Sequence, residues 1–506
     1  MAAKKNKKTS IKKNFLYRAF FDVLSMITPL ITAPYVSRVL GADGIGIYSY
    51  TSSLMTFFTI FGALGTASYG MREIARHRDD RKESSRLFWE IEIMTVITSL
   101  SCTLLWVVLC ILYSDYTPYL FALIPMLFGT MFDISWYFTG YEKLSYTVIN
   151  NSIVKILSVV CIFVFVHNKN DLLLYVLLSS LATCLGNLSM WVHLPGMLVK
   201  TELKHLNFKK HFKETLIYFI PTIATSIYTI LDKTLIGIIT NDNYQNGYYD
   251  QAYKIIRIIK SVVFTAVNTV MGARLSYLFA KEKYDEIKKD INKSMSFILF
   301  LAFGATFMLV GISKNFVPVF FGDGYDPVIF MMCLMSPLII IIGISNCLGS
   351  QYYTPSGRRK ESAKIIVIGS VINLCLNLCA IPFFGASGAI LASLIAEGFI
   401  SVLYIIKSKG YMSFATLLKL SWKRIIAGAL SCAAVFFTGL FFTSSNVTDG
   451  SKLSRLISSG LGLGVQMIVG VIVYSVILAL FRDEILFELF ATAKNSFRKI
   501  FKRKAG

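Results

Sequence analysis

Charged residues are scarce in this sequence, and acidic residues are the scarcest. Asp, Glu, Lys and Arg make up 16% of the 506 residues, whereas 55% are hydrophobic and the mean hydropathy is +0.61. A soluble domain has about a quarter of its residues charged, so this composition excludes a water-soluble protein. The connections between apolar segments are also too short to form a sizeable soluble domain. We therefore expect an all-α integral membrane protein.

Cysteine and histidine are few, with nine and five copies. All the cysteines lie inside apolar segments, and the closest pair, Cys375 and Cys379, lies one helical turn apart. No histidine has Cys, Asp or Glu at metal-ligand spacing. The glycine-rich segment GADGIG at 41–46 follows no strand, so we interpret it as a turn rather than a phosphate-binding loop. The sequence thus predicts no metal site, no cofactor and no enzyme.

Long apolar segments dominate the chain. A helix needs about 20 apolar residues to cross the hydrocarbon of a bilayer. Segments of this kind begin near Phe15, Gly46, Leu87, Thr117, Thr147, Leu172, Thr215, Gln251, Ser296, Val328, Ile365, Gly388, Trp422 and Arg455. The sequence therefore predicts about fourteen transmembrane helices.

The formal net charge of +22 comes from basic residues that alternate between connections. They concentrate at 4–13, 72–86, 200–213, 281–293, 358–360, 407–419 and 498–504. Connections of the opposite side hold little beyond Arg38, Lys169 and Lys452. The positive-inside rule then places both termini in the cytoplasm. This pattern indicates contact with anionic membrane lipids and not with nucleic acid.

An internal repeat is visible in two segments that begin with glycine and an aromatic pair. GIYSYTSSLMTFF starts at Gly46 and GYYDQAYKIIRII starts at Gly247. We expect two parallel six-helix lobes in pseudo-twofold relation. The predicted parts are a basic cytoplasmic N-terminus at 1–14, the first lobe at 15–194, a basic cytoplasmic linker at 195–212, the second lobe at 213–407, two C-terminal helices at 408–481 and a basic amphipathic cytoplasmic tail at 482–506. In that tail, apolar residues from Leu486 onward recur at helical spacing, which predicts a helix lying on the membrane surface; a plain solvated tail is the alternative.

Four sequence blocks resemble a known family. They are PYVSRVLGADGIGIYSY, YGMREIARHRDD, WYFTGYEKLSYTVINNSIVKI and NGYYDQAYKIIRII. Their order from Asn14 to Lys407 is similar to that of the bacterial polysaccharide-unit, or Wzx-type, flippases of the multidrug/oligosaccharidyl-lipid/polysaccharide exporter superfamily. The last two predicted spans carry no such block.

This resemblance implies two lobes around a central cavity that opens alternately to either face of the bacterial plasma membrane. The implied substrate is an oligosaccharide on undecaprenyl pyrophosphate, moved from the inner to the outer leaflet for capsule, exopolysaccharide or wall polysaccharide synthesis. A polysaccharide polymerase and glycosyltransferases are the implied partners. Two alternatives stay open, a cation-coupled multidrug antiporter of the same superfamily and a membrane glycan polymerase.

Cations deep in predicted spans are the candidate substrate-binding groups. In the eighth span, a stripe about 60° wide holds Tyr253, Arg257, Lys260, Phe264 and Asn268. A cation at mid-membrane is costly against lipid, so we expect this stripe to face water or an anion such as a diphosphate.

Two more cations belong to this candidate set. Lys155 lies near the middle of the fifth span, and Lys233 follows Asp232 in the outer half of the seventh. Asp232 is a candidate for ion coupling, with a local charge pair as the alternative. Basic residues near helix ends, such as Lys254, Lys314 and Arg274, are instead expected to reach the lipid headgroups.

The first span carries Arg18 and Asp22, four positions apart. This spacing predicts an ion pair. We expect the pair on the cavity wall at the cytoplasmic entrance, with Arg18 as a diphosphate contact and Asp22 as its partner or as a proton or sodium site. Pro29 and Pro34 predict a bend suited to gating. The alternative is a structural salt bridge between packed helices. Glu90 and Glu92, at the start of the third span, are expected at the membrane interface.

Overall fold

Helices form all the regular structure of the described part of the chain. The computed structural model describes residues 11–200, 207–444, 452–492 and 494, and none of these residues forms a strand. The predicted all-α architecture is therefore confirmed. Residues 1–10 of the predicted basic N-terminus, 201–206 of the linker, and 493 and 495–506 of the tail lie outside the described residues.

The helices of the described ranges are numbered in chain order. They are α1 Ile11–Ala63, α2 Thr66–His77, α3 Arg81–Leu112, α4 Thr117–Ala122, α5 Ile124–Met131, α6 Ser135–Gly140, α7 Leu144–Phe165, α8 Leu172–Leu188, α9 Phe208–Thr240, α10 Asn243–Ala280, α11 Tyr284–Phe321, α12 Asp326–Met335, α13 Leu338–Leu348, α14 Arg359–Phe384, α15 Ala386–Ile406, α16 Phe414–Ser444 and α17 Lys452–Leu480. A further helical segment covers 484–492.

Eleven segments of the described residues are long and apolar enough to cross a membrane. The first of them, Leu16–His77, covers the two spans predicted to begin near Phe15 and Gly46. Within α1, Gly41 is non-helical, with φ 72° and ψ 175°. A left-handed φ costs little only for glycine. Of the predicted turn GADGIG, Gly41 is thus the residue that departs from helical geometry. The predicted spans near Thr215 and Gln251 correspond to α9 and α10. The count of fourteen stays a prediction.

Proline divides one span into short helices. Pro118 and Pro125 stand in the first turns of α4 and α5, where their missing N–H groups cost nothing. A second break separates α5 from α6 and contains Asp133, whose Oδ1 accepts a hydrogen bond from the Ser135 N–H at 2.9 Å. This span therefore has a carboxylate at a break in its backbone hydrogen bonding.

Contacts divide the chain into two compact units, residues 1–247 and 248–506. In the first unit, one core cluster surrounds Trp106 and another surrounds Phe88 and Trp136. In the second unit, the main cluster joins α10, α11, α13 and α15 around Ile298 and Tyr353. The six-helix lobes, with their expected boundary at 195–212, stay a prediction.

The two glycines that begin the repeated segments contact each other's helices inside the first unit. A Cβ on Gly46 would lie 1.8 Å from the carbonyl oxygen of Asn243, and a Cβ on Gly247 would lie 2.1 Å from that of Ala42. Only a residue without a side chain permits two backbones to approach so closely. These positions therefore fix how the start of α10 crosses α1.

The start of the C-terminal tail packs on the second unit. Leu486 is 4% exposed and belongs to a core cluster with Tyr474 and Leu478. Leu489 and Phe490 are exposed, as a membrane-surface helix requires. The expectation that Leu486 contacts lipid was wrong, because a hydrophobic side chain on a helix can be buried by protein as well as by lipid. The later tail residues lie outside the described part.

Candidate functional site

The predicted ion pair of the first helix is present. Arg18 Nε lies 3.3 Å from Asp22 Oδ1, and the side chains are 68% and 41% exposed. Because the residues are four positions apart on α1, helical geometry alone brings them together. The pair therefore presents charge on an accessible surface of α1.

Lys155 of α7 contacts the same face of α1. Its Nζ donates to Ser25 Oγ at 3.0 Å and lies 5.5 Å from the centroid of the Phe21 ring. At 100° per residue, Arg18, Phe21, Asp22 and Ser25 fall within an arc of about 100°. The structure thus brings two of the predicted cations, Arg18 and Lys155, to one face of one helix.

Pro29 leaves the carbonyl of Ser25, on this face of α1, without its usual helical donor. Proline has no N–H, so Pro29 cannot donate to the carbonyl of Ser25, four residues before it. Pro29 and Pro34 both lie inside α1, and Gly41 is the residue at which α1 departs from helical angles. The bend and the gating role expected of the two prolines stay predictions.

In the second unit, Lys260 has an aromatic and an acidic neighbour. Lys260 is half-buried, and its Nζ lies 5.3 Å from the centroid of the Tyr253 ring. The buried carboxylate of Glu397, on α15, attracts the Lys260 ammonium, whereas the nearby Arg257 repels it. Arg257 itself is exposed. The two predicted cations therefore lie together beside a carboxylate that sequence reasoning missed.

The rest of the predicted stripe does not share this environment. Phe264 is 6% exposed and belongs to the core of the second unit. Asn268 Oδ1 accepts hydrogen bonds from Ser350 Oγ at 2.9 Å and from Gln351 Nε2 at 3.1 Å. The expectation of one continuous wet stripe was wrong, because α11 and α13 pack against the second half of α10.

Asp232 and Lys233 lie on α9 in different environments. Asp232 is 4% exposed, whereas Lys233 is half-buried. The carbonyl oxygen of Lys233 accepts a hydrogen bond from Asn246 Nδ2 at 2.7 Å, which joins α9 to the start of α10. The binding role of Lys233 and the ion-coupling role of Asp232 stay predictions.

Two of the three cations expected at the headgroups have acidic partners, and the third, Lys314, lines a groove. Lys254 Nζ lies 2.7 Å from Asp250 Oδ2, and Arg274 Nε lies 2.6 Å from Asp290 Oδ2. Neither is assigned to substrate. A groove of about 790 Å³ between α11, α12 and α16 is lined mostly by apolar side chains such as Val310 and Phe437. That groove contains none of the predicted site residues.

Comparison with known families decides the chain's family. The family described as polysaccharide biosynthesis protein matches residues 11–272, more than half of the chain. The chain belongs to this family. A relative from Escherichia coli (strain K12) named "Putative O-antigen transporter" is 23% identical over 405 residues, which are 79% of this chain and 96% of the relative. A relative of the same name from Shigella dysenteriae is 22% identical and is covered completely by 79% of this chain.

Solved structures share the fold of this polysaccharide biosynthesis protein. The lipid II flippase MurJ in an inward closed conformation aligns with a TM-score of 0.69 at 16% identity, over 94% of this chain and 100% of MurJ. An inward-facing multidrug resistance MATE family transporter of the MOP superfamily aligns with a TM-score of 0.53 at 12% identity, over 76% of this chain and 97% of the transporter. The chain therefore has the membrane-transporter fold that these proteins share.

A buried polar network lies in the first half of α3. Glu90 and Glu92 are 2% and 1% exposed, so the protein covers both carboxyl groups. Their expected depth at the membrane interface stays a prediction. Glu90 Oε2 lies 2.6 Å from His211 Nε2, and His211 Nδ1 lies 2.6 Å from the Tyr69 hydroxyl. Glu90 also accepts from Arg86 Nε at 3.1 Å and from the Asn207 N–H at 2.9 Å. Partners more than a hundred residues away therefore contact this part of α3.

This network joins α2, α3 and the start of α9. The network could not be predicted from the sequence, because His211 lies far along the chain from both Tyr69 and Glu90. Among the residues that the structure describes, no three His, Cys, Asp or Glu side chains gather in a metal-binding group. Its geometry is that of a hydrogen-bonded connection between helices.

Proposed function

We propose that this family member is a flippase. It moves undecaprenyl-pyrophosphate-linked oligosaccharide repeat units from the inner to the outer leaflet of the bacterial plasma membrane by alternating access. The product supplies capsule, exopolysaccharide or wall polysaccharide synthesis, with a polymerase and glycosyltransferases as partners. Both termini are cytoplasmic. Support comes from relatives named O-antigen transporters and from a fold shared with a lipid II flippase.

The observation that supports the proposal is the placement of cations on α1, α7 and α10, three helices that correspond to predicted membrane spans. Lys155 and Arg18 lie along one face of α1, and Arg257 is exposed beside Lys260 on α10. Arg and Lys suit phosphate oxygens, Arg through its two-pronged guanidinium. In this proposal Arg18, Lys155, Lys233, Arg257 and Lys260 bind the diphosphate. A cation in a membrane helix is otherwise costly.

The remaining candidates have positioning and gating roles in the proposed cycle. Asp22 holds Arg18 through the pair already described, so it orients the guanidinium. Asp232, buried on α9, is assigned to ion coupling. Pro29 and Pro34 weaken the hydrogen bonding of α1, which favours bending there during opening and closing.

A deletion strain tests this function. The strain is complemented with the wild type or with Lys155→Gln, Arg257→Gln or Lys260→Gln, and both surface glycan and lipid-linked glycan are measured. We expect the variants to lose surface glycan and to accumulate the lipid-linked precursor. Lys288→Gln is the matched control, because Lys288 is an exposed cation at the start of α11. Normal surface glycan in all three variants would refute the cation assignment, and drug resistance without a glycan defect would favour the antiporter.

A further inference from the structure

Two glutamates on α3 are two residues apart and have opposite surroundings. Glu90 accepts hydrogen bonds from Arg86 and the Asn207 N–H and contacts His211. Glu92 is 1% exposed, and neither of its carboxyl oxygens has a hydrogen-bond partner among the described residues. The same side chain is therefore surrounded by donors at one position and has none at the other.

A second acidic residue lies near Glu92. Asp133, at the break between α5 and α6, is close enough for its charge to act on Glu92. Among the described residues, Asp133 is the group whose charge acts on Glu92. The nearby Arg86 and His211 contact Glu90 instead. A buried carboxyl group, Glu92, and a half-buried one, Asp133, are thus neighbours, and no cation among the described residues faces Glu92.

Aromatic side chains of one core cluster lie close along the chain to both carboxyl groups. Trp136, three residues after Asp133, is 2% exposed, and its ring centroid lies 5.7 Å from that of Phe88, one turn before Glu92. The indole Nε1 of Trp136 also has no hydrogen-bond partner in the described structure. An unpartnered indole donor therefore lies in the aromatic cluster that is one helical turn from the unpartnered acid along α3.

An ionised carboxylate has no means of stabilisation in this place. Removing a charge from water without a partner costs far more than protonating it, and a second carboxylate nearby adds repulsion. Asp133 keeps one backbone donor from Ser135. The group that carries the proton is therefore Glu92.

We propose that Glu92 and Asp133 form a buried proton-binding site in the first unit. At neutral pH, Glu92 holds the proton as a neutral acid. The neighbouring Asp133 accepts the hydrogen bond from the Ser135 N–H. When the break between α5 and α6 opens to water, the O–H bond of the Glu92 acid breaks and water takes the proton. Closing returns a proton to the same oxygen. The site therefore couples the proton content of the protein to an opening within one unit.

Infrared spectroscopy of the purified full-length protein tests the site without any transport assay, so its result is independent of the proposed function. A protonated carboxyl has a carbonyl stretch that an ionised carboxylate lacks. We expect this band in the wild type at neutral pH, and we expect Glu92→Gln to remove the intensity of one carboxyl group. Glu90→Gln is the matched control and should leave the band unchanged, because Glu90 is ionised among its donors. Absence of the band in the wild type, or equal intensity in Glu92→Gln, would overturn the proposal.

A second measurement needs no variant and so does not depend on the folding of Glu92→Gln. Hydrophobic carbodiimides react with protonated carboxyl groups in apolar surroundings, and mass spectrometry locates the modified residue. In the wild type we expect modification of Glu92 that decreases as the pH is raised, and little modification of Glu90. Modification of Glu90 in preference to Glu92, or none at Glu92 at any pH, would contradict a proton held by Glu92.

Discussion

At the scale of single residues, local sequence predicted contacts only where helical geometry guarantees them. Arg18 and Asp22 pair because they are four positions apart on one helix. The contact of Lys155 with Ser25 spans 130 residues, so only the packing of α7 on α1 determines it. Glu90 and Glu92 could not be told apart in the sequence for the same reason, because Asn207 and His211, which contact Glu90, lie far along the chain, whereas Glu92 has no hydrogen-bond partner among the described residues.

The network of Tyr69, His211 and Glu90 gives the first prediction. His211→Ala removes the group between two buried partners and leaves Glu90 without one of its contacts. Breaking a buried polar pair by removing one member costs about 3–5 kcal/mol, so we expect a clearly lower melting temperature of the detergent-purified protein. His167→Ala is the control, because His167 is exposed and such substitutions change stability by about 0.5 kcal/mol or less. Equal melting temperatures for the two variants would contradict a stabilising role for the network.

At the scale of helices, apolar length predicted where each span lies but not how it is interrupted. The sequence indicated a turn between the first two spans, and the structure reduces it to Gly41 inside α1. The break that holds Asp133 was not predicted, because the proline signals at 118 and 125 mark helix starts and not that break. The burial of Leu486 was missed because an amphipathic pattern does not say which apolar surface covers it.

The crossing of α1 and α10 gives a second prediction. Gly46→Ala places a methyl group within 1.8 Å of the Asn243 carbonyl oxygen, so one helix must move. We expect a lower melting temperature and less folded protein. Gly398→Ala is the matched control, since a Cβ there meets nothing within 4 Å, and alanine stabilises a helix relative to glycine by about 0.5–1 kcal/mol. A Gly46→Ala protein as stable as Gly398→Ala would show that the two helices do not cross this closely.

The start of the C-terminal tail gives a third prediction. Arg424 Nη2 lies 3.1 Å from Asp483 Oδ2, and Asp483 Oδ1 accepts from the Ile485 N–H at 3.0 Å. Asp483→Ala removes both interactions and leaves a buried guanidinium without its carboxylate, so we expect faster protease cleavage near the tail. The Lys293–Glu488 pair is more than half exposed at both members, and such pairs contribute about 0–1 kcal/mol. Glu488→Ala should therefore be cleaved as slowly as the wild type; a tail equally protected in Asp483→Ala would contradict this anchoring.

At the scale of the whole molecule, composition and charge placement predicted a polytopic membrane protein, and the helical structure and family match agree with it. The basic residues divide into two groups with different partners. Lys254 and Arg274 have acidic neighbours within ion-pair distance, whereas Arg257 is exposed on α10, which corresponds to a predicted span. Only the depth of Arg257 within its predicted span placed it in the second group. It did not reveal Glu397, because a lone glutamate in an apolar segment has no local pattern that indicates its partner.

The most direct test of the cation assignment is flipping by the purified protein in liposomes, followed as the fraction of a labelled undecaprenyl-pyrophosphate-linked oligosaccharide that becomes accessible to an external glycosidase. We expect the wild type and Lys288→Gln to make the labelled oligosaccharide accessible to the glycosidase at equal rates. Lys155→Gln and Arg257→Gln should each slow exposure about tenfold or more, since a hydrogen bond to a charged group contributes about 1.5–3 kcal/mol. Unchanged rates in both variants, or no flipping by the wild type, would contradict a membrane pathway in which these cations bind the diphosphate.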